Sequence, residues 1–182
     1  MSHTRVAVLL GSLRADSLNR RIAELLVARA PEGVTLHLVE GLGDLPFYNE
    51  DLDGTDAPAS AVRLREQVAA ADRVLVVTPE YNGTMPAVLN NAIDWLSRPY
   101  GVGALVGKPF AVVGATPTPY GGKWAHADAA RSAGIAGAVV LEDVTVSQPA
   151  VEVDVLTDPT VRAKLKDALV RLVEFEAEPS AA

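Results

Sequence analysis

An α/β fold, a parallel sheet with helices on both faces, is predicted for this chain by two features of its sequence. Short apolar runs rich in β-branched residues alternate with amphipathic stretches five times along 182 residues. Strand–helix–strand repeats of that kind close as parallel crossovers with helices packed over the sheet. The loops after the first, third and fourth apolar runs are rich in polar groups, glycine or proline. In such sheets ligands bind beyond the carboxyl ends of the strands, where the strand order reverses.

The elements follow in order. Residues 5–11, "RVAVLLG", are short, apolar and β-branched, which predicts a strand buried on both faces. Leu18, Ile22, Leu25 and Leu26 then recur at helical spacing over 18–30. "VTLHLVE" (34–40) is the second strand, and 41–60 is a long loop with three glycines and two prolines. Leu64, Val68 and Ala71 mark one face of a helix over 58–72, and "RVLVVT" (73–78) is the third strand. Thr84 is the expected cap of a helix whose early turn takes Pro86, with Val88, Leu89, Ala92, Ile93 and Leu96 inward. "KPFAVVGA" (108–115) is the fourth strand, and 122–134 is helical. "AVVLEDVTV" (138–146) is the fifth strand, with a break expected near Glu142–Asp143. Val161, Leu165, Leu169 and Leu172 mark the last helix. One domain over 1–176 is expected, with a disordered tail at 177–182.

Composition narrows the chemistry. Hydrophobic residues are 49% and charged residues 21%, ordinary for a globular domain. With no cysteine there is no disulfide, thiolate metal site or cysteine nucleophile. A net charge of -7 argues against a nucleic-acid partner. No apolar run reaches the ~18 residues of a membrane span, and the start lacks a signal-peptide layout, so membrane insertion is not expected and the cytoplasm is. The three histidines, His3, His37 and His126, show no ligand spacing, so no metal site is expected. No G-x-S-x-G elbow is present, which argues against a serine hydrolase.

The first loop, "GSLRADSLN", leads from a strand into a helix whose N-terminal amides favour an anion. Ser12, Ser17 and Asn19 add neutral donors, and Arg14 adds a fork suited to phosphate. Ser17 or Asp16 as a plain helix cap, with Arg14 a solvated charge, is the alternative. The loop lacks the second glycine and lysine of a Walker loop and the three glycines of a dinucleotide fingerprint, which leaves a terminal phosphate monoester gripped end-on. In "PEYNGTM", Pro79 and Gly83 shape a turn, and Glu80, Tyr81 and Asn82 offer backbone polar groups, an aromatic face and an amide. That surface suits a planar heterocycle; a plain loop with Tyr81 covering the sheet edge is the other reading. Glu80 pairing with a positive group, or shaping the turn, is expected over a catalytic role. In "TPTPYGG", two prolines stiffen the loop while Gly121 and Gly122 permit close approach or unusual dihedrals.

"GSLRADSLNRRIA", "PEYNGTMPAVLNNAIDWLSRP" and "GKPFAVVGATPTPYGG" together resemble the three signatures of the NADPH-dependent FMN reductase family, which includes bacterial quinone and chromate reductases. "LPFYNEDL" (45–52) is similar to the segment such proteins carry after strand two, and the resemblance covers residues 5 to about 148. It implies a flavodoxin-like three-layer sandwich with five parallel strands in the order 2-1-3-4-5. It implies FMN, its phosphate in the first loop on Ser12, Arg14, Ser17, Leu18 and Asn19. The isoalloxazine would lie against Pro79, Glu80, Tyr81, Asn82 and Gly83, with Thr116 in the third loop. There the family pattern S-P-G-x-x-G-G is altered: Thr116 keeps the hydroxyl and Thr118 replaces a glycine. Asn90 stands where a lysine is common. The resemblance further implies NADPH or NADH as co-substrate, a small-molecule acceptor such as a quinone or free flavin, ping-pong turnover, and a homodimer or homotetramer. An electron-carrier flavodoxin or an FMN-based redox sensor without fast turnover are the alternatives. Leu45, Phe47 and Tyr48 in the 41–60 loop are either an oligomer contact or folded onto the protein's own core.

Overall fold

The computed structural model describes residues 3–176, so the tail expected at 177–182 lies outside the described residues. The strands β1 (Thr4–Leu10), β2 (Val34–Leu38), β3 (Arg73–Val77), β4 (Pro109–Thr116) and β5 (Val139–Val140) lie in the order β2-β1-β3-β4-β5. All pairings are parallel. This is the flavodoxin-like order, with the reversal between β1 and β3.

Period-two alternation explains why the strands read as unbroken apolar runs. From β1, Val6, Val8 and Leu10 face one way, onto Ile22 and Leu26 of α1 (Leu18–Ala28) and Leu165 and Leu169 of α5 (Pro159–Glu174). Ala7 and Leu9 face the other way, toward α2 (Ala59–Ala69), α3 (Ala87–Leu96) and α4 (Lys123–Ile135), where Leu64, Val68, Leu89, Ile93 and Trp95 close a second core. Both faces of the sheet are covered, so neither needs polar residues.

The expected break in the fifth strand is present and has a local cause. A 3₁₀ turn, Glu142–Val144, follows β5, and β6 (Val146–Pro149) resumes the ladder against β4 from Val113↔Val146 to Thr116↔Pro149. Two consecutive carboxylates have no place in a strand packed on both faces; here both are exposed while Val144 turns inward. The edge strand also runs three residues beyond the expected limit of 146.

Thr84 does not cap α3. Pro86 occupies the cap position without a side-chain bond, and the Thr84 hydroxyl donates instead to Asp128 of α4 at 2.6 Å. A hairpin involving Thr84 itself aims that hydroxyl away from α3.

The 41–60 loop folds largely onto its own domain. It contains short 3₁₀ turns at Leu42–Asp44 and Glu50–Leu52. Leu45 is buried, and Tyr48 meets Trp95 edge to face with ring centroids 5.0 Å apart. Asn91 clamps the loop from α3, accepting from the Tyr48 amide at 2.8 Å and donating to the Pro46 carbonyl at 3.0 Å. Trp95 Nε1 donates to the same carbonyl at 2.9 Å. Asp53 pairs with Arg65, whose hydrogen bond holds the Asp53 carboxyl below the usual range. Of the three apolar loop residues, only Phe47 stays outside, 82% exposed.

Candidate functional site

The first loop leaves β1 pressed against the end of β3. The Gly11 amide donates to Val77 O at 3.0 Å, and a Cβ on Gly11 would lie 2.0 Å from Thr78 Oγ1. Only glycine fits there. Ser12 is buried, its hydroxyl 3.4 Å from the Arg14 amide and 3.5 Å from the Tyr81 hydroxyl. Ser17 is the N-cap of α1, accepting from the Arg20 amide at 3.4 Å. The amides of Leu18 and Asn19 open the helix and have no carbonyl to bond within it. Arg14 is exposed and has no ion-pair partner among the described residues.

Asn19 departs from the expectation. Its side chain is committed to β4: Nδ2 donates to Ala115 O at 2.9 Å, and Oδ1 accepts from Ala115 N at 3.0 Å. It clamps helix to sheet, and only its backbone amide is left to serve a ligand.

The second loop is a tight hairpin. Tyr81 and Thr84 form an antiparallel bridge with two 3.1 Å backbone bonds, and both central residues have positive φ, 53° at Asn82 and 74° at Gly83. These dihedrals mark the type I′ turn that Asn-Gly favours. Tyr81 is 46% exposed, and Asn82 and Gly83 are exposed at the tip.

Glu80 pairs with a helix end rather than a cation. One carboxylate oxygen accepts from the Trp124 and Ala125 amides at 3.0 and 3.2 Å, satisfying two orphan donors of α4 and setting a negative charge at its positive end. Glu80→Gln is expected to lower stability by about 0.3–1 kcal/mol, because the charge is lost while an acceptor remains. Thermal melting of the two forms checks this. An unchanged Tm would remove the electrostatic role.

The third loop is braced from beneath. Thr116, buried, and Thr118 pair their hydroxyls at 2.8 Å, so the departure at 118 gives Thr116 a local partner. Tyr120 and Trp124 pack ring on ring at 4.7 Å, both partly exposed. His126, singled out by no sequence motif, lies fully buried beneath the second and third loops. Its Nε2 faces the Thr78 carbonyl at 3.1 Å and its Nδ1 the Ser147 hydroxyl at 2.7 Å. A carbonyl only accepts, so Nε2 carries the proton and Nδ1 accepts from Ser147. Burial pushes the His126 pKa down, which keeps the ring neutral.

Next to the hairpin lies a groove of about 680 Å³ between Tyr81, Met85 and Pro86 on one side and Phe47 and Tyr48 on the other. Asp94 is its one lining carboxylate. Burial raises the Asp94 pKa, and Asn90 Nδ2 donates to it at 3.0 Å, so the position where a lysine is common holds a neutral partner of an acid.

These donors suit a phosphate monoester. Free helix-end amides, a buried serine hydroxyl and a guanidinium without an ion-pair partner among the described residues belong to one loop, and a hairpin with an aromatic face stands beside it. Fold and site thus define a doubly wound α/β protein with a nucleotide-type site at the switch point of its sheet. The chain belongs to the NADPH-dependent FMN reductase family, whose profile matches residues 4–152. It is 50% identical over 117 residues to a quinone reductase of Pseudomonas putida, covering 64% of this chain and 62% of that protein. It is 46% identical over 110 residues to a 2-hydroxy-1,4-benzoquinone reductase of a Burkholderia species, covering 60% of this chain and 59% of the relative. These matches span about three fifths of each relative's length. Among solved structures, the flavoenzyme NAD(P)H:(acceptor) oxidoreductase FerB of Paracoccus denitrificans superposes with TM-score 0.83 at 36% identity, over 94% of this chain and 96% of that one. Among the described residues, no helix is long and apolar enough to cross a membrane.

Proposed function

We propose that the protein is an FMN-dependent NAD(P)H oxidoreductase that passes reducing equivalents to quinones, free flavin or similar small acceptors. The carrying observation is the set of three mutually braced polar loops at the sheet's switch point, opening onto the groove beside Tyr81. In this reading Ser12, Arg14, the Ser17 cap and the amides of Leu18 and Asn19 hold the FMN phosphate. Pro79, Glu80, Tyr81, Asn82 and Gly83 present backbone and an aromatic face to the ring, with Thr116 closing the third side. Bound FMN supplies the hydride chemistry, while the protein supplies position and electrostatics. Glu80 and His126 are tied into the scaffold and act as neither acid nor base. Phe47, Tyr48 and Met85 line the groove that receives NAD(P)H and the acceptor in turn.

One groove used twice makes the kinetics ping-pong. Initial rates of NAD(P)H oxidation against a quinone should give parallel double-reciprocal lines with FMN-loaded protein. Intersecting lines would mean a ternary complex, and negligible turnover by protein that has taken up FMN would favour the carrier or sensor. Failure to take up FMN at all would overturn the reading.

The same reading makes the protein a cytoplasmic homodimer or homotetramer. Its support is the outward Phe47, next to the groove, with Tyr100 and Val102 also largely exposed. Sedimentation at low micromolar concentration should show a species larger than the 19.1 kDa chain; a lone monomer would count against it.

A further inference from the structure

A second groove lies on the opposite side of the sheet from the hairpin groove, between α1 and α5. Its volume is about 280 Å³. Leu26, Leu165 and Leu169 form the floor, part of the core that seats both helices. Arg29 from the end of α1 and Arg162 and Lys166 from α5 stand around it, and no carboxylate among the described residues lines it. None of the three cations has an ion-pair partner among the described residues.

That concentration of positive charge runs against the chain as a whole, where 23 acidic residues outnumber 16 basic ones. Arg162 and Lys166 are one helical turn apart, where like charges repel, and Arg29 approaches from the facing helix. A bound anion would relieve this repulsion, with guanidinium groups suited to a carboxylate's two oxygens. The floor is apolar and rewards an alkyl chain. The volume lies just below the usual range of ligand sites, about 300–1,000 Å³, which favours a chain of about ten carbons over a full-length acyl tail.

We propose that this groove binds a medium-chain free fatty acid, its carboxylate among Arg29, Arg162 and Lys166 and its chain along the leucine floor. The site is separate from the flavin site and does not depend on the function proposed above.

The test is calorimetric titration of decanoate into the full chain. One site per chain is expected, with 1-decanol, of equal length and no charge, binding at least tenfold more weakly. Two variants separate charge from shape. Arg162→Glu with Lys166→Glu reverses the rim, and Ala163→Trp fills the groove from an exposed helix position without changing charge. Each should weaken decanoate binding at least tenfold while leaving the thermal melt and FMN uptake of the folded chain intact. No binding at about 1 mM decanoate, equal binding of decanol, or unchanged binding in both variants would overturn the proposal. Co-flotation of wild type with phosphatidylglycerol vesicles, lost in the charge-reversed form and unaccompanied by decanoate binding, would also overturn it in favour of a membrane surface.

Discussion

Asn19→Leu is expected to destabilise the protein by about 2–6 kcal/mol in the absence of any ligand. The substitution removes both partners of Ala115 at once, leaving a buried amide and a buried carbonyl unpaired. Each such group costs about 1–3 kcal/mol. Leucine also brings a branched chain to a crowded point: an added Cβ on Gly114 would already lie 3.0 Å from Asn19 Oδ1 and 2.1 Å from Thr78 O. Chemical denaturation of the flavin-free protein is the measurement. Were Asn19 only a ligand donor, its loss would leave the flavin-free protein as stable as wild type and lower FMN affinity alone. That result would remove the clamp from the account.

Arg14→Ala is expected to weaken FMN binding about 10- to 100-fold and to leave riboflavin binding nearly unchanged. A phosphate monoester carries close to two negative charges at pH 7. The N-terminus of α1 offsets about half a charge. Asn19's side chain contributes nothing further, which places more of the remainder on Arg14. A hydrogen bond to a charged group is worth about 1.5–3 kcal/mol, and each ~1.4 kcal/mol is tenfold in affinity. Arg14 is exposed and has no ion-pair partner among the described residues, so the two flavins can be compared in the same folded protein. Equal losses for FMN and riboflavin would place Arg14 at the ring or in the shaping of the loop, and the phosphate assignment would fall.

The sheet and its two helical layers were readable in the sequence because local pattern and global fold agree. Apolar runs of five to eight residues mark strands covered on both faces, and the carboxylate pair Glu142–Asp143 marks the one place where such a run breaks. Gly83 was readable as a turn residue for the same reason, since its dihedral preference is local, whereas Asn82, which reads as an amide for a ligand, shares the turn with it. The partners inside the site were not readable. Asn19 bonds a backbone 96 positions away and Glu80 bonds amides 44 and 45 positions away. A backbone acceptor or donor has no sequence signature, so a polar side chain aimed at one looks the same as a side chain aimed at a ligand. Thr84 shows the converse, a local capping preference overridden by a carboxylate on another helix. The 41–60 loop looked long and loose because its anchors, Asn91 and Trp95, sit on α3.

The place of β1 between β2 and β3 has a consequence for how the protein is made. Val6 pairs on one side with Leu36 of β2, 30 positions on, and on the other with Arg73 of β3, 67 positions on. Closing the longer loop costs only about 0.6 kcal/mol more per doubling of its length, so equilibrium is hardly affected. Time is affected. At about 5–20 residues per second of synthesis, the first strand waits roughly 2–8 s on the ribosome with one edge unfilled. The last cover comes later still, because Arg73 is held by the carbonyls of Leu172 and Phe175 at the far end of α5. Until those residues leave the exit tunnel, the face of β1 that carries Val6, Val8 and Leu10 lacks half its roof. During synthesis β1 therefore presents an open strand edge that β3 fills in the folded protein, and misassociation at that edge is a hazard of the nascent chain.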